Sequence, residues 1–272
     1  MRGSLGWILR YGVAVVFIVA TLFPLAWLAM AGFKAKTEVV ATPFQFFPEM
    51  WRWDNYAQLL ADEAFVRSLG FTFVGASLFA ALSLVVNALG AYAFARLDFA
   101  FKRTVWVIVI TTMFVPGIAI LLTSFIVVTQ LGMLDSLAVL VLPGAAAGVQ
   151  VFFLRQFFLA VPASLEEAAQ LDGAGPWRIF RHIFIPLSKG AFVVVGATSF
   201  LLFWNSYIWP VLTITEPELF PIQQYLATFR SERSSEHGLL MAGSTLAALP
   251  VILLFLIFQR HIIRGVRIAG FK

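Results

Sequence analysis

The chain has 272 residues, is 61% hydrophobic and only 12% charged, and carries a net charge of +5 with no cysteine. A soluble domain usually holds about a quarter charged residues, so this is the composition of a membrane protein. The absence of Cys excludes disulfides, thiolate nucleophiles and Cys-ligated zinc or iron–sulfur sites, and the placement of the positive charge decides whether it signals nucleic acid.

Six stretches contain no Asp, Glu, Lys or Arg: 11–33, 68–95, 104–134, 136–154, 190–215 and 238–259. At about 1.5 Å per residue each is long enough to cross a hydrocarbon core of about 30 Å as a helix. Barrel strands are short and alternate polar with apolar residues, so the expected fold class is all-α, a polytopic membrane protein of six transmembrane helices. The spans are drawn at 11–33, 68–95, 104–131, 136–158, 190–213 and 238–259, within a single transmembrane domain covering 1–272. The first stretch resembles a signal peptide, with Ala29-Met30-Ala31 like a cleavage site. Its 23 uncharged residues are long for a signal core and Trp27 stands close by, so it is read as a retained span.

With the N-terminus in the cytoplasm, the inner segments 1–10, 96–103, 155–189 and 260–272 hold 13 Lys/Arg against 4 Asp/Glu. The outer segments 34–67, Asp135 and 216–237 hold 6 against 10. This positive-inside bias places both termini in the cytoplasm and accounts for the whole net charge without nucleic acid.

The outer loop 34–67 is broken by Pro43 and Pro48, and a tight outer turn is expected near Gly132–Ser136. Pro24, Pro116, Pro143, Pro210 and Pro250 fall in or near spans, where each removes a backbone hydrogen bond and can kink its helix.

The longest cytoplasmic segment interrupts the apolar chain with EEAAQLDGAGPWRIFRHIFIP, residues 166–186. Pro162 stops the preceding span. Ser164 and Glu167 have capping-box spacing for a short helix over 165–172. Gly173 suits a left-handed C-cap, and Pro176 the first turn of a second helix. Trp177, Phe180 and Phe184 recur on one face of that helix until Pro186 ends it. The residues describe a helix–glycine–helix elbow over 162–187. From physics alone it is either an interfacial loop or a piece shaped to dock into a partner.

Glu167-Ala168-Ala169, then Asp172-Gly173-Ala174, then Ile183-x-x-Pro186, resembles the EAA loop of bacterial ABC importer permeases. Ala93-Phe94-Ala95-Arg96-Leu97 with Phe99 and Lys102, and Trp204-Asn205-Ser206-Tyr207-Ile208-Trp209-Pro210, are similar to segments of the carbohydrate-uptake branch. Gln259-Arg260 and the Gly265-containing tail are similar to its C-terminus. The order and spacing match the shorter, six-helix subunit of maltose- and glycerophosphate-type pairs, and the four segments span most of the chain. Ser206 stands where relatives often carry an acidic residue.

The resemblance implies a permease subunit of a binding-protein-dependent importer in the bacterial inner membrane, forming half of an alternating-access path for a sugar or sugar derivative. It implies a second permease subunit, two ATPase subunits and an extracytoplasmic solute-binding protein as partners. The elbow would be the coupling helix, with Glu166, Glu167, Ala168, Ala169, Asp172, Gly173, Ala174 and Pro186 as its residues. ATP and Mg2+ would belong to the ATPase, since this chain has no phosphate-binding loop of the GxxxxGK[ST] type. No catalytic residue, metal or resident cofactor is expected.

Asn87 and Asn205, amides within spans, are expected to face protein or a wet cavity. Together with Trp204 and Tyr207 they are candidates for the substrate path. The aromatics either stack on sugar rings or form an interfacial belt. Glu232, Arg233, Glu236 and His237 of the last outer loop are candidates for contact with the binding protein. Alternatives are a permease for a peptide or phosphate compound, or a stand-alone channel. An intramembrane enzyme is disfavoured, because none of the six uncharged stretches holds a histidine either.

Overall fold

A computed structural model describes residues 2–231 and 236–269, with side-chain detail for 10–229 and 236–260. Among these every regular element is helical. In order they are α1 (Arg2–Ala31), α2 (Asp54–Ala61), α3 (Glu63–Arg96), α4 (Lys102–Thr112), α5 (Leu121–Gln130), α6 (Leu137–Val141), α7 (Gly148–Leu159), α8 (Ala163–Leu171), α9 (Pro176–Ile179), α10 (Ile185–Leu187), α11 (Lys189–Trp204), α12 (Ile208–Thr213), α13 (Ile222–Ser231) and α14 (His237–Ala269). A π-helical turn, Phe180–Phe184, joins α9 to α10.

Residues 10–31, 63–96 and 237–260 form helices long and apolar enough to cross a membrane. Pro24 and Pro250 lie inside continuous helices and break neither. The other three expected spans are not single helices. The 104–131 span is interrupted at Met113–Pro116, where its halves meet at 99°. The 136–158 span is split into α6 and α7 by an unwound segment containing Pro143 and Gly144, the latter at φ +81°. The 190–213 span is split into α11 and α12 at Asn205–Tyr207. A charge-free run reports polarity and not helical continuity. Proline and left-handed glycine remove the hydrogen bonds that continuity needs.

The chain divides into two units. In the unit of residues 1–69 and 224–252, polar side chains finish helix ends. Asn55 Nδ2 donates to the carbonyls of Gly32 at 2.8 Å and Lys34 at 3.0 Å, and the Tyr56 hydroxyl donates to Ala29 O at 3.1 Å. These satisfy carbonyls in the last turn of α1 and in the segment just after it. Asp62 caps α3, accepting from the amides of Ala64 and Phe65 and from the Tyr225 hydroxyl at 2.8 Å.

The unit of residues 70–223 and 253–272 holds the elbow and a polar knot. Asn87 on α3 is fully buried. Its Oδ1 accepts from Ala147 N at 2.8 Å, and its Nδ2 lies 2.8 Å from both Ala145 O and Gln150 Oε1. Ser83 Oγ reaches Ala145 O at 2.9 Å, and Gln150 Nε2 donates to Ser199 Oγ of α11 at 2.9 Å. Side chains thereby supply the partners that the unwound backbone between α6 and α7 lacks. Gly148, at the start of α7, is where α4 comes close: a Cβ there would stand 2.6 Å from Val109 O. The expected turn near Gly132–Ser136 is present, with Gly132 at φ +64° and Asp135 at φ +51°.

Candidate functional site: the α8–α9 elbow

The elbow is set off from its neighbours by two sharp bends. The chain turns 75° between α7 and α8, and 83° between Pro176–Leu187 and α11. Pro162 forces the first bend and stands at the N-cap of α8, with extended backbone at ψ 134° and no side-chain cap. The expected Ser164–Glu167 capping box is therefore absent. The helix opens at Ala163, one residue before Ser164, which leaves that serine inside the first turn.

The end of α8 is a Schellman motif. Gly173 has φ +80°, Gly173 N donates to Gln170 O at 3.0 Å, and Ala174 N donates to Ala169 O at 2.9 Å. Ala169 and Ala174 both pack on the same buried core. Nothing lies within 4 Å of where a Gly173 Cβ would stand, so the glycine is required by its dihedral angle and not by crowding. Pro176 opens α9 in the first turn, as expected. Pro186 does not terminate the second limb. It sits in the first turn of α10, and the bend comes at Ser188.

The two faces of α8 differ. Glu166 and Ala169, one turn apart, point inward. Ser164, Glu167, Ala168, Leu171 and Asp172 are exposed, with Leu171 90% exposed. On the second limb Phe180, Phe184 and Ile179 are buried, while Trp177 is 63% exposed and rests on Phe180 at 5.6 Å between ring centroids.

Arg96 and Tyr92, at the end of α3, hold this elbow from inside. Arg96 Nη2 donates to Phe158 O at 2.8 Å and also to Val161 O, both at the carbonyl end of α7. Its Nε is 3.6 Å from Glu166 Oε2, and its guanidinium lies 5.1 Å from the Phe184 ring centroid. The Tyr92 hydroxyl donates to Pro176 O at 3.1 Å, and its ring meets Phe180 and Phe184 at 5.0 and 5.1 Å. Nothing in the sequence pairs Arg96 with Glu166 across seventy residues. The available signals were its place as the first charge after an apolar run and the one-turn spacing of Tyr92 and Arg96.

The substrate-path candidates are dispersed. Asn87 is committed to the polar knot. Trp204 is buried, stacked on Phe200 at 5.5 Å. Asn205 ends α11, exposed, its Nδ2 bonded to Leu201 O at 3.0 Å. Tyr207 is 46% exposed. Ser206 and Trp209, with Phe79, Phe203 and Pro143, instead line a cavity of about 200 Å³. Glu236 lines a polar cavity of about 330 Å³ with Lys34, Lys36, Arg52 and Asn55, and His237 begins α14 beside it. Glu232 and Arg233 lie outside the described residues.

Residues 87–268 match the family described as binding-protein-dependent transport system inner membrane component. The chain is 28% identical over 269 residues to the lactose transport system permease protein LacG of Rhizobium radiobacter, covering 97% of this chain and 96% of that one. It is 31% identical over 254 residues to the arabinooligosaccharides transport system permease protein AraQ of Bacillus subtilis, covering 92% and 90%. Its fold superposes with a TM-score of 0.82, at 22% identity, on a chain of a bacterial ABC transporter involved in the import of the acidic polysaccharide alginate, over 96% of this chain and 98% of that one. The elbow, its glycine turn and the helices that frame it lie within the matched residues, and the chain belongs to the family of binding-protein-dependent transport system inner membrane components.

Proposed function

We propose that this chain is the shorter permease subunit of a bacterial ABC importer for a sugar or sugar derivative, crossing the inner membrane six times with both termini in the cytoplasm. It forms half of an alternating-access path with a second permease subunit. Two ATPase subunits bind beneath, and a solute-binding protein delivers substrate from outside. Hydrolysis of ATP with Mg2+ takes place in the ATPases, and this chain contributes the elbow they move. The observation that carries the reading is the two-faced elbow: its inner face is fixed to the permease by Arg96 and Tyr92, while Glu167, Ala168 and Leu171 are left exposed on the other side. The small Ala168 lets a partner helix or cleft approach closely, Leu171 offers apolar area, and Glu167 a charge. A sugar as cargo is supported by the lactose and arabinooligosaccharide systems named for the relatives.

The test is purification from native membranes in mild detergent, with each co-purifying chain identified by mass. An ATPase and a second multi-span chain in stoichiometric amounts, with ATP hydrolysis stimulated by a sugar, is the expected result. Stimulation by a peptide or phosphate compound instead would change the cargo and keep the importer. A chain that remained alone after gentle crosslinking, and conducted ions without ATP, would be a channel.

A further inference from the structure

We propose that Arg96 and Tyr92 are positioning residues that make the elbow and α3 move as one body, so that α3 carries elbow motion to the unwound segment between α6 and α7. The inference rests on the coupling role given to the elbow above and names the part of the permease it drives.

Arg96 occupies the inside corner where α7 turns into α8. Its two carbonyl bonds bind the end of α7, and its Nε faces Glu166 in the first turn of α8. A cation is favoured at the one helix end and an anion at the other, so the corner is held electrostatically on both sides. Both charged side chains are largely buried, at 13% and 14% exposure, so the pair is shielded from the screening that weakens surface pairs. Arg96 Nε is buried with no hydrogen-bond partner, and Glu166 is the anion beside it. One turn back on the same helix, Tyr92 binds the carbonyl of Pro176 on the other limb. The two limbs, joined at Gly173, are therefore gripped by a single helix. Further along α3, Ser83 and Asn87 hold Ala145 and Ala147 of the unwound segment. A displacement of the elbow that keeps these bonds displaces α3, and α3 displaces the broken helix.

The absence of native cysteine allows the test. Nitroxides are placed at Gln170→Cys on α8 and Asp98→Cys just beyond α3, both exposed. Their separation is measured by pulsed electron resonance in the purified complex, without nucleotide and after ATP–vanadate trapping. The expected result is one narrow separation, unchanged by trapping. Arg96→Gln broadens it, and Glu166→Gln, which leaves the carbonyl bonds intact, broadens it in the same direction. Arg96→Lys keeps the charge without the forked donor geometry and restores it only in part. In the same Arg96→Gln preparation the ATPase stays bound and basal hydrolysis persists. Stimulation by the solute-binding protein isolated from the same cells falls about ten-fold, the loss of a coupling of ordinary size. A purely structural defect would lower ATPase retention and basal hydrolysis together. Unchanged separation in both Arg96→Gln and Glu166→Gln overturns the proposal, as does a separation that changes on trapping in the wild type. Absence of any ATPase from the preparation would overturn the coupling role itself, while the label pair would still report whether the clamp holds.

Discussion

At the scale of single residues, Asn87 and Asp135 show how few side chains fix irregular backbone. Asn87→Leu keeps the branched shape but leaves the Ala147 N–H without its buried acceptor. The expected cost is about 1–3 kcal/mol, read as a lower unfolding midpoint in detergent than that of an exposed control, Ser77→Ala. Asp135 sits at positive φ in the turn between α5 and α6 and accepts from the amides of Thr215 and Glu216 and from the Thr215 hydroxyl. Those donors, the Thr215 amide first, hold its carboxyl below the ordinary value of 3.8. A lowered carboxyl stabilises above its unfolded value, and the effect is lost as pH falls through the folded one. The strap is therefore complete at neutral pH and loosens only under acid conditions below that ordinary value. Asp135→Asn should speed hydrogen exchange at the Thr215 and Glu216 amides at pH 7. Gly173→Val puts a β-branched residue at φ +80°, at a backbone cost of about 1–2 kcal/mol or more. Uptake should fall while the amount of protein in the membrane persists, measured by transport and immunoblot together.

At the scale of elements, the elbow was legible in the sequence because its punctuation is local. Pro162, Gly173 and Pro176 each act on their own backbone, and each stands where the pattern put it. The capping box failed for the same kind of reason, since Pro162 already takes the N-cap and pulls the helix start one residue ahead of Ser164. The clamp was not legible, because Arg96 and Glu166 meet only through the folding of α3 against α7. Two of the three span breaks were marked by Pro116 and Pro143, whereas the one at Asn205–Tyr207 was not, because hydropathy is blind to where a helix stops hydrogen-bonding to itself. The exposed face of α8 and the contact of α7 with α4 each carry a prediction. Glu167→Lys or Leu171→Ser should reduce retention of the ATPase on purification without lowering the stability of the chain alone. Full burial of a leucine of this kind is worth about 1.5–3 kcal/mol, so the loss should be visible in a wash series. Gly148→Ala should destabilise by pushing α7 off the Val109 carbonyl of α4, whereas Gly12→Ala, with nothing within 4 Å, should be neutral or mildly favourable.

At the scale of the whole molecule, composition and charge pattern carried furthest. The apolar stretches and the inside-positive bias define a membrane protein and its expected orientation before any motif is read. The four substrate-path candidates do not come together in one site. Trp204 and Asn205 are adjacent in sequence, yet one is buried under Phe200 and the other is exposed, while the neighbouring Ser206 and Trp209 line a cavity. Side-chain direction at a helix break is set by where the chain leaves the helix, and spacing rules assume that it does not leave. The π-turn at Phe180–Phe184 bears on how the second limb tolerates a change in length. A π-turn is what a helix becomes when it accommodates one residue more than the α repeat allows. Removing a single residue there should let the limb wind as a plain α-helix, with the residues after the turn keeping their faces.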